Sequence, residues 1–379
     1  MSRCYDRRVH FTVDFEQLPP AIREWFLALP EELGATRLFR ANELLNAYVD
    51  RLLCEHLDAL GVAPAAVARP ELVTWLLRKV ERAGFVELDP WGRVARRRAP
   101  EESAAAVAAI ALAESPDLAP SLALFDAARA GFVDVVTGKK SGADVLLTPA
   151  AVPLWKAYFD NANFGYAANN RVAARLCADA VAARRGLRVV ELGGGLGSAA
   201  EALLARLAPQ IGRYVFTELS PFFLSGAKRK LAAAFPTVPF EFRPLDVNRP
   251  FDEQGATAAS ADVVLAVNVL HVARDVGRTL AEARRLLAPG GTLVMVECVR
   301  PAPGVPIYVD YPFQLLDEFW RIDDAGPLRP HGGFLTLRDW RGLLERAGLE
   351  LRALLPDHET IEKWYSGYHL VGLAAAAPR

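Results

Sequence analysis

Val189-Val190-Glu191-Leu192-Gly193-Gly194-Gly195-Leu196-Gly197-Ser198 decides the fold: an apolar strand runs into an acid and then into glycines at every second position. A chain turning this tightly from strand to helix needs positive φ, and bare backbone lets a ligand lie close. Dinucleotide folds use G-x-G-x-x-G for the same purpose, but here Ser198 stands where the third glycine belongs, and such a loop alone is a weak signal. The strands downstream strengthen it. Arg213-Tyr214-Val215-Phe216-Thr217-Glu218-Leu219-Ser220 is a second apolar strand ending in a carboxylate, at the distance where nucleotide-binding α/β folds place the acid that grips a ribose diol. A third strand, Phe240 to Leu245, ends at Asp246-Val247, and a fourth, Ala261 to Val267, ends at Asn268. On the plainer reading Asp246 and Asn268 cap loops. Four polar residues at the ends of four consecutive strands, on the edge where open α/β sheets take ligands, argue instead for a binding site.

An acid at Glu191 suits a ligand that brings an ammonium and a sulfonium, and the pattern reads as the S-adenosylmethionine (SAM) site of a class I methyltransferase fold. That fold is α/β and Rossmann-like, with a seven-stranded sheet. The expected cofactor contacts are Glu191, Gly193, Gly195, Gly197, Glu218, Leu219, Asp246, Val247 and Asn268, with Glu218 on the ribose hydroxyls and S-adenosylhomocysteine as product. An NAD-dependent oxidoreductase is disfavoured by the missing third glycine and by the acid at Glu191.

The strand–helix alternation continues from Leu187 to the end, through Tyr214 to Glu218, Phe240 to Leu245, Ala261 to Val267 and Thr292 to Val299. Ala199 to Leu207, Phe223 to Phe235 and Val276 to Leu287 are the amphipathic connections, and Pro289-Gly290-Gly291 turns the last into its strand. A helix over Thr336 to Ala347 and two strands, Glu350 to Leu355 and Tyr368 to Ala374, complete the expected domain, 155–379. Residues 1–154 differ in kind, since helical periodicity dominates. Within them Glu71 to Ala83 is an amphipathic helix stopped by Gly84, and Phe85 to Leu88 can pair with Arg93 to Arg98 across Asp89-Pro90-Trp91-Gly92. Helix then hairpin is a winged-helix-like arrangement, read here as a lid or dimerisation domain. Its helix mixes Glu71 and Glu81 with Arg78, Lys79 and Arg82, leaving little net attraction for phosphate.

The chain of 379 residues carries 44 Lys+Arg against 45 Asp+Glu, so no global field draws it to nucleic acid or an anionic membrane. Cys4, Cys54, Cys177 and Cys298 lack ligand spacing, the six histidines are dispersed, and no metal site is expected. The N-terminal residues lack the apolar core of a signal peptide, and the Ala-rich run after Ser103 is too short to span a bilayer. The expectation is a cytoplasmic protein with reduced thiols.

The sequence resembles the methyltransferase domains of polyketide synthases and hybrid peptide synthetases over about Ser115 to Gly348. The matching stretches are Pro116 to Pro120, Tyr158 to Arg175, Phe216 to Pro221, Asn268 to His271, Arg284 to Gly291, Asp317 to Trp320 and Thr336 to Gly348. It departs from that family at Gly194, where alanine is commoner. Leu72 to Arg98 and Val294 to Cys298 are similar to small-molecule O-methyltransferases built from a winged-helix dimerisation domain and a SAM domain. Both resemblances imply a catalytic dyad, with His271 as base and Glu297 as its partner. The residues agree, because an ionised Glu297 in an apolar strand needs a partner, and neighbouring strands about 4.8 Å apart let the two side chains meet. One dyad serves an oxygen or an activated carbon. The second resemblance is to oxygen-directed enzymes and tips the expectation slightly towards oxygen. Tyr166, Asn170, Phe313 and Trp320 are the expected acceptor contacts. The first resemblance implies an acyl substrate on a carrier protein, the second a free small molecule and a homodimer.

Overall fold

The structure is a computed structural model and describes residues 20–27, 35–61, 67–323, 329–355 and 370–377. Cys4, the charged N-terminal stretch and Tyr368, where the last expected strand begins, lie outside the described residues. The chain divides into two compact units. One takes the described residues up to Tyr158 together with Gly304–Trp320, and the other takes Phe159–Pro303 and the remaining described residues from Arg321 on. The division falls after Tyr158, and the aromatic segment 304–320 goes with the helical unit.

The helical unit contains α1 (Pro20–Leu27), α2 (Ala35–Leu60), α3 (Pro70–Arg82), the strands β1 (Val86–Leu88) and β2 (Val94–Arg97), and α4 (Ala104–Glu114), α5 (Ala119–Val136), α6 (Gly142–Leu146) and α7 (Val152–Tyr158). Helix α3 starts at Pro70, whose fixed φ and missing N–H suit a first helical position. Behind it, Gly84 at φ 81° ends the helix, with Phe85 N donating to Val80 O at 2.9 Å. The hairpin pairs Val86 with Arg97 in antiparallel register, and Asp89 Oδ1 closes its turn by accepting from Trp91 N and Arg93 N, both at 2.9 Å. The buried face of α3 carries Leu72, Trp75, Leu76 and Val80, while Lys79 is buried against Asp50 and donates to Asn46 Oδ1 at 3.0 Å. Segment 304–320 is held into this unit by polar contacts: Tyr308 to Asn42 at 2.7 Å, His56 Nε2 to Tyr311 at 2.7 Å, and Trp75 Nε1 to Asp310 Oδ2 at 3.0 Å. Burial, and then Arg129, pushes the His56 imidazole down to about 3, so it stays neutral between the Phe132 ring and Tyr311.

The second unit runs α8 (Phe164–Val181), β3 (Leu187–Leu192), α9 (Ser198–Leu207), β4 (Ile211–Thr217), α10 (Pro221–Ala234), β5 (Phe240–Arg243), β6 (Ala261–Val267), α11 (Val276–Leu286) and β7 (Leu287–Arg300). After the excursion through α12 (Asp310–Phe313) it resumes with β8 (Leu335–Thr336), α13 (Leu337–Arg346), β9 (Glu350–Leu355) and β10 (Leu370–Ala376). The sheet order is β5-β4-β3-β6-β7-β10-β9, with the short β8 pairing beside the end of β7. The path from β5 to β7 is parallel, and β10 runs antiparallel to both of its neighbours. This is the class I methyltransferase fold. The chain winds outward from β3 to β5 and then returns to β6, so the loops after β3 and β6 diverge at a topological switch point. Strands β3, β6 and β9 have the limits expected from the apolar runs. β7 begins early because Leu287 already pairs with Ala261, and a register shift absorbs Pro289-Gly290-Gly291 before Val263 meets Thr292.

Helix α8 packs on β7 and β10, and Gly372 in the middle of β10 sets how closely it approaches. A Cβ there would lie 2.4 Å from Val172 Cγ1 and 2.7 Å from Leu176 Cδ1, both on α8. Gly372→Val is expected to destabilise the unit by about 1–3 kcal/mol through overpacking, and pairing Gly372→Ala with Val172→Ala should recover part of the loss. Chemical denaturation of the single and double variants measures this; strict additivity would show that the two residues do not share the contact.

Candidate active site

The loop after β3 is built on backbone that only glycine takes easily: Gly193 and Gly195 have φ of 56° and Gly197 has 81°. It is braced from β4, with Gly194 N donating to Thr217 O at 2.8 Å and Thr217 Oγ1 to Glu191 O at 2.6 Å. A Cβ on Gly194 would stand 2.3 Å from the Phe216 ring, which gives a local reason for glycine where the resembling family commonly has alanine. A Cβ on Gly195 would meet nothing within 4 Å, so the loop faces open space there.

Glu218, just past β4, accepts from Gly195 N at 2.9 Å and from Ser220 N at 2.8 Å. Those two bonds fix its carboxylate beside the glycine loop and leave lone pairs for further donors. Leu219 beside it is exposed. Asp246 does what the plainer reading expected, accepting from Asn248 N at 2.9 Å in a turn, while Val247 O accepts from Thr279 Oγ1 at 3.0 Å. Asn268 follows β6 at φ 50°, a left-handed conformation that asparagine tolerates better than most residues. Its backbone N–H bonds Val296 O at 2.7 Å, and its side chain hydrogen-bonds the Tyr166 hydroxyl, which burial pushes well above the usual phenol range.

Glu191 is not a surface acid waiting for a cation. It is 1% exposed and accepts from the Tyr214 hydroxyl at 2.8 Å. Burial raises its carboxyl to about 8; the Tyr214 bond works in the opposite sense and Glu218 adds to the rise.

At the other side of the switch point, Glu297 in β7 is fully buried. Its Oε2 lies 2.6 Å from His271 Nδ1, and its Oε1 accepts from Leu270 N at 2.8 Å and Val269 N at 3.2 Å. Strands β6 and β7 are adjacent in parallel register, Val267 opposite Val296, which brings the residue four beyond β6 to the strand that carries the acid. His271 sits on a short 3₁₀ turn, Leu270–Val272, with the Phe334 ring 4.5 Å from its imidazole. The Gly193 loop approaches the same turn, since a Cβ there would fall 2.2 Å from Val269 Cγ2.

Three buried polar atoms near this edge have no hydrogen-bond partner among the described residues: Asn268 Oδ1, Ser198 Oγ and Asn170 Oδ1. Asn170 Nδ2 bonds Asn161 Oδ1 at 2.8 Å, and Asn161 Nδ2 in turn bonds Ser198 O at 2.9 Å and Glu201 Oε2 at 3.0 Å. Orphaned acceptors of this kind are costly unless a ligand meets them, and together with the open space at Gly195 and the fixed Glu218 carboxylate they fit a polar, cationic ligand such as SAM. Asn161, Ser198 and Tyr214 were not singled out from sequence, although the run of asparagines at 161, 163, 169 and 170 is a visible signal. Phe313 and Trp320 belong to the helical unit. Phe313 packs 5.6 Å from Trp155 and 5.9 Å from Phe319, and Trp320 Nε1 donates to Gln314 O at 2.9 Å. Among the described residues no group of three or more His, Cys, Asp or Glu could hold a metal, and no helix is long and apolar enough to cross a membrane.

Residues 190–293 match the methyltransferase domain family. Over 311 residues the chain is 30% identical to the polyketide synthase ThaQ of Burkholderia thailandensis, which accounts for 75% of this chain and 15% of that protein. It spans between 5% and 15% of the length of the curated polyketide synthases it matches. Among solved structures it is similar to the CurJ carbon methyltransferase, at a TM-score of 0.71 and 23% identity over 96% of this chain and 98% of that one. The trans-methyltransferase CalH, solved with S-adenosylhomocysteine, superposes at a TM-score of 0.63 and 23% identity over 88% and 90%.

The raised Glu191 carboxyl has a consequence for stability. Its folded value of about 8 lies above the ordinary 4.5, so between those values the native state holds a proton that the unfolded chain has lost, and stability falls as pH rises. Glu191→Gln mimics the protonated acid and keeps an acceptor for Tyr214. In urea melts without cofactor its advantage over the natural protein should be small at pH 5 and grow up to pH 9; a constant gap would contradict the assignment.

Proposed function

We propose that this chain, which carries a class I SAM-dependent methyltransferase domain, methylates an activated carbon of a polyketide-type acyl thioester, with His271 as general base and Glu297 as the residue that orients it. The observation that carries the proposal is the buried contact of 2.6 Å between His271 Nδ1 and Glu297 Oε2 at the ligand-binding edge of the sheet. The lean in the sequence towards oxygen gives way to carbon because the similar proteins are polyketide synthases and a carbon methyltransferase.

Bound SAM supplies a methyl group already activated as an electrophile. Glu218 and the loop Gly193–Gly197 would hold its ribose and amino-acid portions, with Asp246 and Asn268, which follow β5 and β6, as further polar contacts, and Asn170 on α8 would face the acceptor. The task left to the protein is to align the acceptor and take its proton. Glu297 accepts from the Nδ1 proton of His271, which fixes the tautomer with the lone pair on Nε2. Nε2 removes the proton from a carbon flanked by two carbonyls, and the electron pair of the broken C–H bond spreads over the acceptor as an enolate. The buried carboxylate stabilises the imidazolium that results.

The similarity to polyketide synthases supports an acceptor delivered on a phosphopantetheine arm. A second reading, a small-molecule O-methyltransferase acting as a homodimer through a winged-helix-like domain, is supported by the helix and hairpin over Pro70–Arg97.

His271→Ala and Glu297→Gln are each expected to lose roughly 10²- to 10⁴-fold in turnover of an acetoacetyl thioester with SAM, while SAM affinity by calorimetry stays nearly constant. Mass spectrometry of the product locates the new methyl; a methyl ether or ester in place of a branched carbon would overturn the carbon assignment. Glu218→Ala should weaken SAM binding at least tenfold, since charged hydrogen bonds of about 1.5–3 kcal/mol each would be lost. Unchanged affinity would remove Glu218 from the site. A preference of at least tenfold in kcat/KM for the acceptor on a carrier protein over the same simple thioester supports the synthase-like substrate, and equal activity on both speaks for the small-molecule reading.

A further inference from the structure

The turn that carries His271 is held at both ends by buried charge. On its amino side the Glu297 carboxylate accepts from Val269 N and Leu270 N. On its carboxyl side the Arg329 guanidinium, on a residue 1% exposed, donates from Nη1 to His271 O at 3.1 Å and Ala273 O at 2.9 Å, and from Nη2 to Arg274 O at 2.9 Å. Short helical turns leave amides unsatisfied at the start and carbonyls at the end, and an anion on the first with a cation on the second complements the turn's dipole. The planar fork of arginine can reach several carbonyls at once, which a single ammonium cannot.

A second buried arginine ties the far side of the same segment to the strand of the acid. Arg300, at the end of β7 and 1% exposed, donates from Nε to Phe334 O at 3.0 Å and from Nη2 to His331 O at 3.1 Å. Phe334 is the residue whose ring packs 4.5 Å from the His271 imidazole. β8 then pairs Leu335 with Val299 and Thr336 with Arg300. The segment from Arg329 to Thr336 therefore touches the base by a guanidinium on its backbone and a ring on its side chain, and is itself pinned to the strand that holds Glu297.

We infer that Arg329 is a positioning residue for the reaction: it fixes the Leu270–Val272 turn so that the His271 ring holds its angle to Glu297 and presents Nε2 to the acceptor. The inference rests on the proposed role of His271 as base. Burial brings the Arg329 guanidinium down to about 10, with Asp275 and Asp323 opposing that fall, so the cation persists at neutral pH.

The test uses acetoacetyl-N-acetylcysteamine and SAM with Arg329→Lys and Arg329→Gln, each also combined with His271→Ala. A small displacement of a catalytic group costs on the order of 10²-fold, so kcat should fall about 100-fold in the glutamine variant and about 10-fold in the lysine variant, which keeps charge without the fork. KM and calorimetric SAM affinity should stay within about twofold, a split that general loosening of the fold would not give. The downfield proton resonance of the His271 Nδ1–H should weaken in the same order in the protein without SAM. In the His271→Ala background neither substitution should lower the residual rate further. A lysine variant with natural kcat overturns the inference, as do a parallel loss of SAM affinity or an undiminished Arg329 effect without the imidazole. If the glutamine variant fails to fold, the lysine variant alone decides. A fully active His271→Ala protein would instead sink the base assignment itself, whereas an inactive one beside a silent Arg329 would sink only the positioning role.

Discussion

A carboxylate with no access to water must be neutral or fully partnered, and Glu297 imposes that condition on the centre of the sheet. Its partners are an imidazole and two backbone amides, all from the turn after β6. Meeting that need fixes where β6 ends, how the chain bends beyond it, and which way the His271 ring faces. The neighbouring features obey the same need: Asn268 takes left-handed backbone to start the bend, and Gly193 has no Cβ because Val269 occupies its space. Removing the acid while leaving the strand apolar would release the turn, so the same group that is proposed to orient the base specifies the local fold.

The two acids of the β3–β4 side are handled differently. Glu191 is withdrawn from solvent and kept beside Tyr214, which makes it a support for the loop above it. Glu218 is fixed by Gly195 N and Ser220 N at the rim. The loop amide and the carboxylate thus hold each other in place before any ligand arrives, and preorganised groups of this kind lose little freedom on binding.

The parts of this arrangement that were legible in the sequence are those carried by local pattern. Apolar runs marked β3, β6 and β9 to the residue, positive-φ glycines marked the turn, and a charged residue in an apolar run marked Glu297. The hairpin after α3 was legible because Gly84 and Asp89-Pro90-Trp91-Gly92 have few other uses. Contacts made through backbone carbonyls leave no such trace. Arg329 and Arg300 grip carbonyls belonging to residues of any type, so nothing in their neighbours' identities points to them. The segment 304–320, from which Phe313 and Trp320 are the expected acceptor contacts, joins the helical unit through Asn42, His56 and Trp75, which stand so far upstream in the chain that no local pattern points to them.

That cluster bears on how such a protein can be inherited. The chain leaves the sheet after β7, contributes Tyr308, Asp310 and Tyr311 to the helical unit, and returns to complete the sheet with β10 lying against β7. No single break in the gene separates the two units, because each would carry away a strip of the other. Recombination that swapped only the sheet would bring along an orphaned Asp310 and Tyr311, while one that swapped only the helices would strand His56 and Trp75 without their partners. The helical unit and the sheet unit should accordingly travel between lineages as one heritable piece, diverging together.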